Sequence, residues 1–166
     1  MSQDPDDTIP GVNPNLKAFL DMIAVSEIGE ALLTVTDDGY NVIVGSTPSK
    51  PILFTDYSQH PRLYQKAQNS DAAGRYRFMG RYWDFYRKQL SLPDFGHSSQ
   101  DKWATQLINE CRAMRAIEEG RIALAIELCK SRWASLPGAG YSQHENSLAS
   151  LLDAYKEAGG TIKEIA

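Results

Sequence analysis

Two glutamates at the end of an apolar run are the residues of this sequence best suited to acid–base chemistry. Glu27 and Glu30 lie in the stretch DMIAVSEIGE, which covers residues 21–30. The apolar residues before them follow helical spacing, so Glu27 is expected at a helix C-terminus. The helix dipole and apolar surroundings there both favour a protonated carboxyl group. Glu27 is therefore a candidate general acid, and the alternative is an ordinary charge at a helix end.

A second carboxylate is ordinarily needed for glycoside hydrolysis, and the loop after Glu27 offers Asp37 and Asp38. One two-carboxylate pattern requires Asp at position 36 and Thr at position 42, where this chain has Thr36 and Val42. The spacing does not support that pattern. A lone acid is sufficient for a different reaction, in which the C6 hydroxyl of the sugar itself attacks the anomeric carbon.

Other catalytic chemistries lack their residue patterns. His60, His97 and His144 are isolated, whereas zinc needs three or four converging ligands. The chain has no HExxH, GxSxG, GxxxxGK or GxGxxG motif. Cys111 and Cys129 lie in helical patterns, which indicates buried free thiols. Zinc, hydride, phosphoryl and acyl-serine chemistry therefore lose support, and no metal or cofactor is expected.

The composition indicates a globular domain that remains in solution. The chain has 166 residues, of which 42% are hydrophobic and 23% charged, and a net charge of −4, so no nucleic-acid partner is expected. Residues 61–90 alone have a net charge of +5, which predicts either a solvated helix face or a surface that attracts an anionic polymer. No apolar run is long enough to span a bilayer and the start is acidic, so neither stable membrane insertion nor an export signal is expected.

The expected fold class is α+β, mostly helical with one small antiparallel sheet after the first helix. Residues 1–12 are predicted to be a flexible acidic tail, and residues 13–166 a single domain. Asn13-Pro14 begins the first helix, and short β-branched runs at 40–44 and 52–54 predict the sheet. Helical periodicity returns from Gly74 to Tyr86. Capping-box patterns predict further helix starts at Ser98 and Ser142, and the last helix is expected to cover residues 141–158.

Six stretches in fixed order resemble the lambda-type endolysin family of bacteriophages. They are LKAFLDMIAVSE (16–27), GYNVIVG (39–45), FTDYSQHPR (54–62), AAGRY (72–76), YRKQLSLPDF (86–95) and WASLPGAGY (133–141). The resemblance extends over residues 16–165. It implies a lysozyme-like fold and cleavage of the β-1,4 bond between N-acetylmuramic acid and N-acetylglucosamine. It also implies a lytic transglycosylase mechanism, which leaves a 1,6-anhydro-muramoyl end.

The resemblance also implies roles for individual residues. The catalytic glutamate of the family falls on Glu27. Substrate contacts are expected from a cleft segment with small residues, from a mobile lip at 136–141 and from tyrosines. These residues are Ser70, Ala73, Gly74, Tyr76, Arg77, Tyr57, Pro137, Gly138 and Tyr141. Structural roles are the alternative: a helix-entry loop for 70–74, a plain turn for the lip, and core packing for the tyrosines.

Two departures from the family concern the cleft. Arg77 stands where relatives have Gln, and it brings a cation that donates hydrogen bonds but cannot accept them. Residues 28–30 are Ile-Gly-Glu where relatives commonly have Gly-Thr, so the shape of the cleft on that side is not inherited.

The family implies peptidoglycan glycan strands as the partner and a holin that gives access to them. The protein is expected to be a monomer in the host cytoplasm before lysis and to act in the periplasm afterwards. Two alternatives stay open. One is a hydrolytic muramidase that uses Glu27 with Asp37, Asp38 or Glu30, and the other is a non-catalytic wall-binding protein of the same fold.

Overall fold

A computed structural model describes residues 13–141 and 144–163, which are mostly helical. The helices in these ranges are α1 (Pro14–Ile28), α2 (Glu30–Thr34), α3 (Trp83–Gln89), α4 (His97–Glu110), α5 (Met114–Glu118), α6 (Ile122–Cys129) and α7 (Leu148–Glu157), with a 3₁₀ helix at Gly80–Tyr82. The predicted tail at 1–12 lies outside the described residues.

Helix α1 is the central element of the core. The Asn13 side chain caps its N-terminus by accepting a hydrogen bond from the Asn15 backbone N–H at 2.8 Å, and Pro14 occupies the first turn. Phe19, Met22 and Ile23 are fully buried. The helix packs against α4, α5 and α7, and it ends at Ile28. The predicted first helix is therefore confirmed, and its last turn carries Glu27.

The predicted small sheet is not confirmed. In the described part of the chain, the segment after α2 makes only isolated antiparallel bridges, such as Val42 with Leu53 and Ile43 with Ala73. Pro48 and Pro51 lack the backbone N–H that a continuous ladder requires, which accounts for the interruption. The bridge from Ile43 to Ala73, with the hydrogen bond from Gly74 N to Val42 O, still brings residues 42–43 against the turn at 73–78.

The helix predicted from Gly74 to Tyr86 is wrong in its first half. Residues 73–78 form a tight turn in which Ala73 and Phe78 exchange two backbone hydrogen bonds. Gly74 and Arg77 have φ values of 84° and 53°, which are incompatible with an α-helix. Helical structure begins only at residue 80. The helical spacing of the aromatic residues comes from core packing instead, as when the Phe78 ring stacks on Trp103.

A helix begins close to the predicted start at Ser98 but without the predicted capping box, and the last helix is shorter than the predicted 141–158. Helix α4 begins at His97, and the Ser99 hydroxyl donates to Asp94 instead of forming a capping box. Helix α7 begins at Leu148 with Ser147 as its cap, since residues 144–147 are not helical. The Ser142 pattern lies outside the described residues.

The remaining sequence features resolve as follows. Both cysteines are free thiols, of which Cys129 is buried and Cys111 partly exposed. Among the basic residues of 61–90, Arg75 is buried and bonded to Asp21, so it does not contribute to a solvated basic face. Within residues 13–141 and 144–163, no helix has the length and apolar character needed to cross a bilayer.

Candidate active site

Three elements meet at the C-terminal end of α1, where Glu27 lies. The carbonyl oxygens of the last turn are each held by a different partner. Val25 O accepts from the backbone N–H of Gly29, which ends the helix, at 2.9 Å. Ser26 O accepts from Asn146 Nδ2 at 3.0 Å, and Glu27 O accepts from Arg77 Nε at 2.8 Å. Distant parts of the chain thus fix the backbone around Glu27.

The Glu27 carboxyl group lies in an environment that favours its protonated form. Burial raises its pKa from the ordinary value of 4.5 to about 7, against the lowering effects of the Arg77 charge and of hydrogen bonding from Ser135. The predicted rise in pKa is therefore confirmed, with burial as its main cause. At neutral pH both protonation states are populated, so one group can act first as an acid and then as a base.

Arg77 is the cation whose charge acts on the pKa of the Glu27 carboxyl group. Burial lowers the pKa of Arg77, and the charge of Glu27 opposes that shift. The residue takes a left-handed backbone conformation, with φ of 53°, at the end of the 73–78 turn. Arg77 therefore contacts the backbone of Glu27 itself and keeps the pKa of Glu27 from rising further.

A network of three polar side chains lies behind Glu27. The Ser26 and Ser135 hydroxyl groups are 2.7 Å apart and share one hydrogen bond. The backbone N–H of Asn146 donates to Ser135 O at 2.7 Å. Ser135 is buried, so this network joins the helix end to the segment that precedes the 136–141 loop.

The 136–141 loop, predicted as a mobile lip, begins at the fully buried Leu136, and its Gly138, Gly140 and Tyr141 are exposed. The Glu145 carboxylate accepts from the backbone N–H of Gly138 at 2.8 Å and of Gly140 at 3.1 Å. The Tyr141 hydroxyl donates to Ser131 O at 2.8 Å while its ring is 52% exposed. Pro137, Gly138 and Tyr141 remain predicted substrate contacts.

Three other predicted substrate contacts, Ala73, Gly74 and Tyr76, are buried, which argues against direct contact of their side chains with a glycan. Ala73 is bonded to Phe78 in the turn, and Tyr76 is 1% exposed, with its hydroxyl donating to Asp101 at 2.6 Å. At Gly74, a Cβ atom would lie 2.4 Å from the Gln100 side-chain oxygen. Ala73 and Tyr76 are therefore parts of the core packing, and Gly74 is needed because Gln100 leaves no room for a side chain there.

Two further predicted contacts stay accessible. The Ser70 hydroxyl accepts from the backbone N–H of Ala72 and donates to the Met79 sulfur. Tyr57 is partly exposed, and its hydroxyl donates to Asp37 Oδ2 at 2.5 Å. Their roles in substrate binding remain predictions.

The other carboxylates of the region have different surroundings from Glu27. Asp37 also contacts His97 Nε2 at 2.7 Å, and these hydrogen bonds lower its pKa. Asp38 lies 3.5 Å from the Arg75 guanidinium. Glu30 is exposed in the first turn of α2. Within residues 13–141 and 144–163, no three His, Cys, Asp or Glu side chains converge as metal ligands.

Sequence reasoning missed Ser135, Glu145 and Asn146. Ser135 lies inside the recognised stretch 133–141, so it could have been considered. Asn146 is 120 positions from Ser26, and no spacing rule predicts that contact.

Comparison with known proteins gives a consistent result. The family model described as Endolysin matches residues 17–162. The chain is 48% identical to the endolysin of Escherichia phage P2 over 88% of this chain and 93% of that protein. It is also 48% identical to the endolysin of Escherichia phage lambda, over 93% of this chain and 97% of that protein.

Solved structures show the same likeness. Bacteriophage lambda lysozyme complexed with a chitohexasaccharide superimposes with a TM-score of 0.84 at 46% identity, covering 93% of this chain and all of that one. A second structure of lysozyme from bacteriophage lambda gives a TM-score of 0.80 at 45% identity, with the same coverage.

Proposed function

We propose that this chain, which belongs to the endolysin family, cleaves peptidoglycan between N-acetylmuramic acid and N-acetylglucosamine as a lytic transglycosylase, with Glu27 as the single catalytic residue. The observation that carries the proposal is the carboxyl group at the end of α1, whose pKa burial raises to about 7. A lysozyme with the same fold holds a chitohexasaccharide, which supports a glycan as the substrate.

The proposed reaction has two proton transfers. Glu27 in its protonated form donates a proton to the glycosidic oxygen, and the bond between that oxygen and the anomeric carbon of N-acetylmuramic acid breaks. The resulting Glu27 carboxylate then accepts the proton of the C6 hydroxyl, whose oxygen bonds to the anomeric carbon. The product is a 1,6-anhydro ring, Glu27 returns to its protonated form, and no water is consumed.

A raised pKa suits both steps. An acid with a pKa near the working pH is protonated often enough to donate, and its conjugate base is strong enough to remove a hydroxyl proton. Arg77 and Ser135 lower the pKa of Glu27 and keep it near 7, so the group does not become permanently protonated. Arg77 therefore assists as a cation that balances the carboxylate formed between the two steps.

The surroundings of the other carboxylates favour a lone acid. Asp37 is engaged by Tyr57 and His97, and Asp38 by Arg75. A hydrolase would need one of them, or Glu30, to activate a water molecule. This is the alternative function, and Glu30 is the carboxylate that leaves it open, because it is exposed on α2.

Mass spectrometry of digested murein tests the chemistry. Transglycosylation predicts muramoyl ends that are one water lighter than the reducing ends left by a hydrolase. Reducing ends alone would replace the proposal with the hydrolytic muramidase. Binding to purified sacculi without any decrease in turbidity would instead indicate a non-catalytic wall-binding protein.

Amide variants assign the catalytic group. Glu27→Gln is compared with Glu30→Gln, Asp37→Asn and Asp38→Asn, which change the same charge elsewhere in the region. The proposal predicts loss of turnover in Glu27→Gln only. Loss in one of the matched variants as well would identify the second carboxylate of a hydrolase.

We further propose that the protein is a monomer that accumulates in the host cytoplasm and reaches the periplasm once a holin opens the inner membrane. Membership of a phage endolysin family supports this route. Co-expression with and without a holin tests it, since lysis is expected only with both. Sedimentation of the purified chain tests the monomer.

A further inference from the structure

Two consecutive residues, Glu145 and Asn146, connect parts of the site that are far apart in sequence. Glu145 contacts the exposed part of the 136–141 loop, whereas Asn146 contacts the end of α1. Neither residue belongs to the predicted substrate contacts, and neither is needed by the proposed proton transfers.

Glu145 holds the loop through its backbone. Its two carboxylate oxygens accept from the N–H groups of Gly138 and Gly140, one oxygen for each. Both glycines have φ near 80°, a conformation that L side chains rarely adopt. These hydrogen bonds lower the pKa of Glu145, so the carboxylate is charged at neutral pH. The shape of the loop thus depends on a side chain from outside it.

Asn146 holds the base of the loop against the helix end. Its side-chain N–H₂ donates to Ser26 O at 3.0 Å and to Ser26 Oγ at 3.1 Å. Its backbone N–H donates to Ser135 O, one residue before the loop begins. Ser26 precedes Glu27 in α1, and Ser135 affects the protonation of Glu27 directly.

We infer that Glu145 and Asn146 are positioning residues that fasten the 136–141 loop to the end of α1, so that the position of the loop over the glycan and the orientation of Glu27 are coupled. The inference rests on the proposed role of Glu27 as the acid. It assigns separate effects to the two residues, because Asn146 lies next to the acid and Glu145 lies next to the loop.

The first test replaces the anchor at the helix end. Asn146→Ala leaves Ser26 O and Ser26 Oγ without their side-chain donor, although the backbone bond to Ser135 O is kept. The end of α1 is thereby loosened, so kcat is expected to fall roughly two- to tenfold with a smaller change in KM. The alkaline limb of the pH profile is expected to move to higher pH, because Ser26 Oγ, which shares a hydrogen bond with Ser135 Oγ, loses a donor and Ser135 then lowers the pKa of Glu27 less effectively. Asn109→Ala is the matched control, since Asn109 is exposed in the last turn of α4.

The second test replaces the contact with the loop. Glu145→Gln turns one acceptor into a donor that faces a backbone N–H, so KM is expected to rise roughly two- to tenfold while the pH profile stays in place. Glu127→Gln, which removes an exposed charge paired with Lys130, is the matched control.

Hydrogen exchange distinguishes coupling from two local effects. Coupling predicts that the Gly138 and Gly140 amides exchange faster in Asn146→Ala, although Asn146 does not contact them. Unchanged exchange there, or kinetics equal to those of the control variants, would overturn the inference. If Asn146→Ala does not fold, Asn146→Asp removes the same donor at nearly constant volume.

Failure of the proposed function would be recognised separately. Turnover in Glu27→Gln would refute the role of Glu27, whereas the exchange rates of the loop amides would still report whether Asn146 and the loop are coupled.

Discussion

Glu27 and Asp37 are carboxylates from neighbouring parts of the chain, yet their surroundings act on them in opposite directions. Glu27 lies in the last turn of α1 beside Arg77 and Ser135, and burial raises its pKa to about 7. Asp37 lies in the exposed loop after α2, where hydrogen bonds from Tyr57 and His97 lower its pKa. One group exchanges protons near neutral pH, and the other stays charged.

The difference shows how, in a region with several carboxylates, the surroundings leave only one of them able to act as an acid near neutral pH. Desolvation disfavours the charged form, whereas hydrogen-bond donors aimed at a carboxylate favour it. Arg77 reduces the first effect at Glu27 without cancelling it. The separation of pKa values, more than the number of carboxylates, identifies the candidate for proton transfer.

The largest expected effect is the loss of activity in Glu27→Gln. General acid–base catalysis contributes about 10² to 10⁴ in rate, so turnover of sacculi is expected to fall by about a thousandfold. Turbidity clearance measures it, with Glu30→Gln as the matched control. Activity within tenfold of the wild type, at an unchanged fold, would remove Glu27 from the mechanism. A tenfold loss corresponds to only about 1.4 kcal/mol of transition-state stabilisation.

The same substitution is expected to change how stability depends on pH. The folded pKa of Glu27 is above its ordinary value, so its contribution to stability is complete below pH 4.5 and is lost as pH rises through about 7. The wild type should lose up to about 3 kcal/mol relative to Glu27→Gln across that window. Denaturant unfolding at several pH values measures it, and parallel curves for the two proteins would contradict it.

Substitution of Arg77 separates its charge from its hydrogen bond. Arg77→Met removes both, so the pKa of Glu27 is expected to rise, the alkaline limb of activity to move to higher pH, and stability to fall by about 2 kcal/mol. Arg77→Lys keeps a charge without the guanidinium fork, so it should lose stability while the limb moves less. Equal pH profiles for all three proteins would show that Arg77 does not act on Glu27.

The smallest effect is expected at Asp37. Asp37→Asn should leave turnover within about threefold and cost less than about 1 kcal/mol, because the group is exposed and its contacts are screened. Its folded pKa is lowered, so this contribution is present at neutral pH and is lost as pH falls through the folded pKa. Tyr57→Phe is the companion variant. A large loss of activity in Asp37→Asn would favour the two-carboxylate alternative.

The fold was predictable where local signals and burial agree. Asn13-Pro14 and the apolar spacing after it predict α1 correctly because the cap, the proline and the buried stripe all favour the same helix. Residues 74–86 mislead because aromatic residues at helical spacing also fill a core around a turn. There the left-handed conformations of Gly74 and Arg77 decide the structure.

The site was predictable to a smaller extent. Glu27 could be proposed because a carboxylate after an apolar helical run has a physical consequence, and the family resemblance placed it. Tyr76 and Gly74 belong to the same resemblance but are buried. Tyr76 bonds to Asp101 and Gly74 packs against Gln100, and such long-range contacts have no signal in the local sequence. Asn146 carries no local signal at all.

The sequence by itself determines that this protein has a carboxylate at the end of an apolar helix and belongs with the endolysins, because helix capping, spacing and motif order are properties of the chain. The tertiary structure decides what that carboxylate is. Arg77, Ser135 and Asn146 come from segments far apart in sequence, and only folding removes water from Glu27 and brings these partners to its helix end. Desolvation and hydrogen bonding depend on distance in space, so a pKa near neutrality cannot be read from residue order.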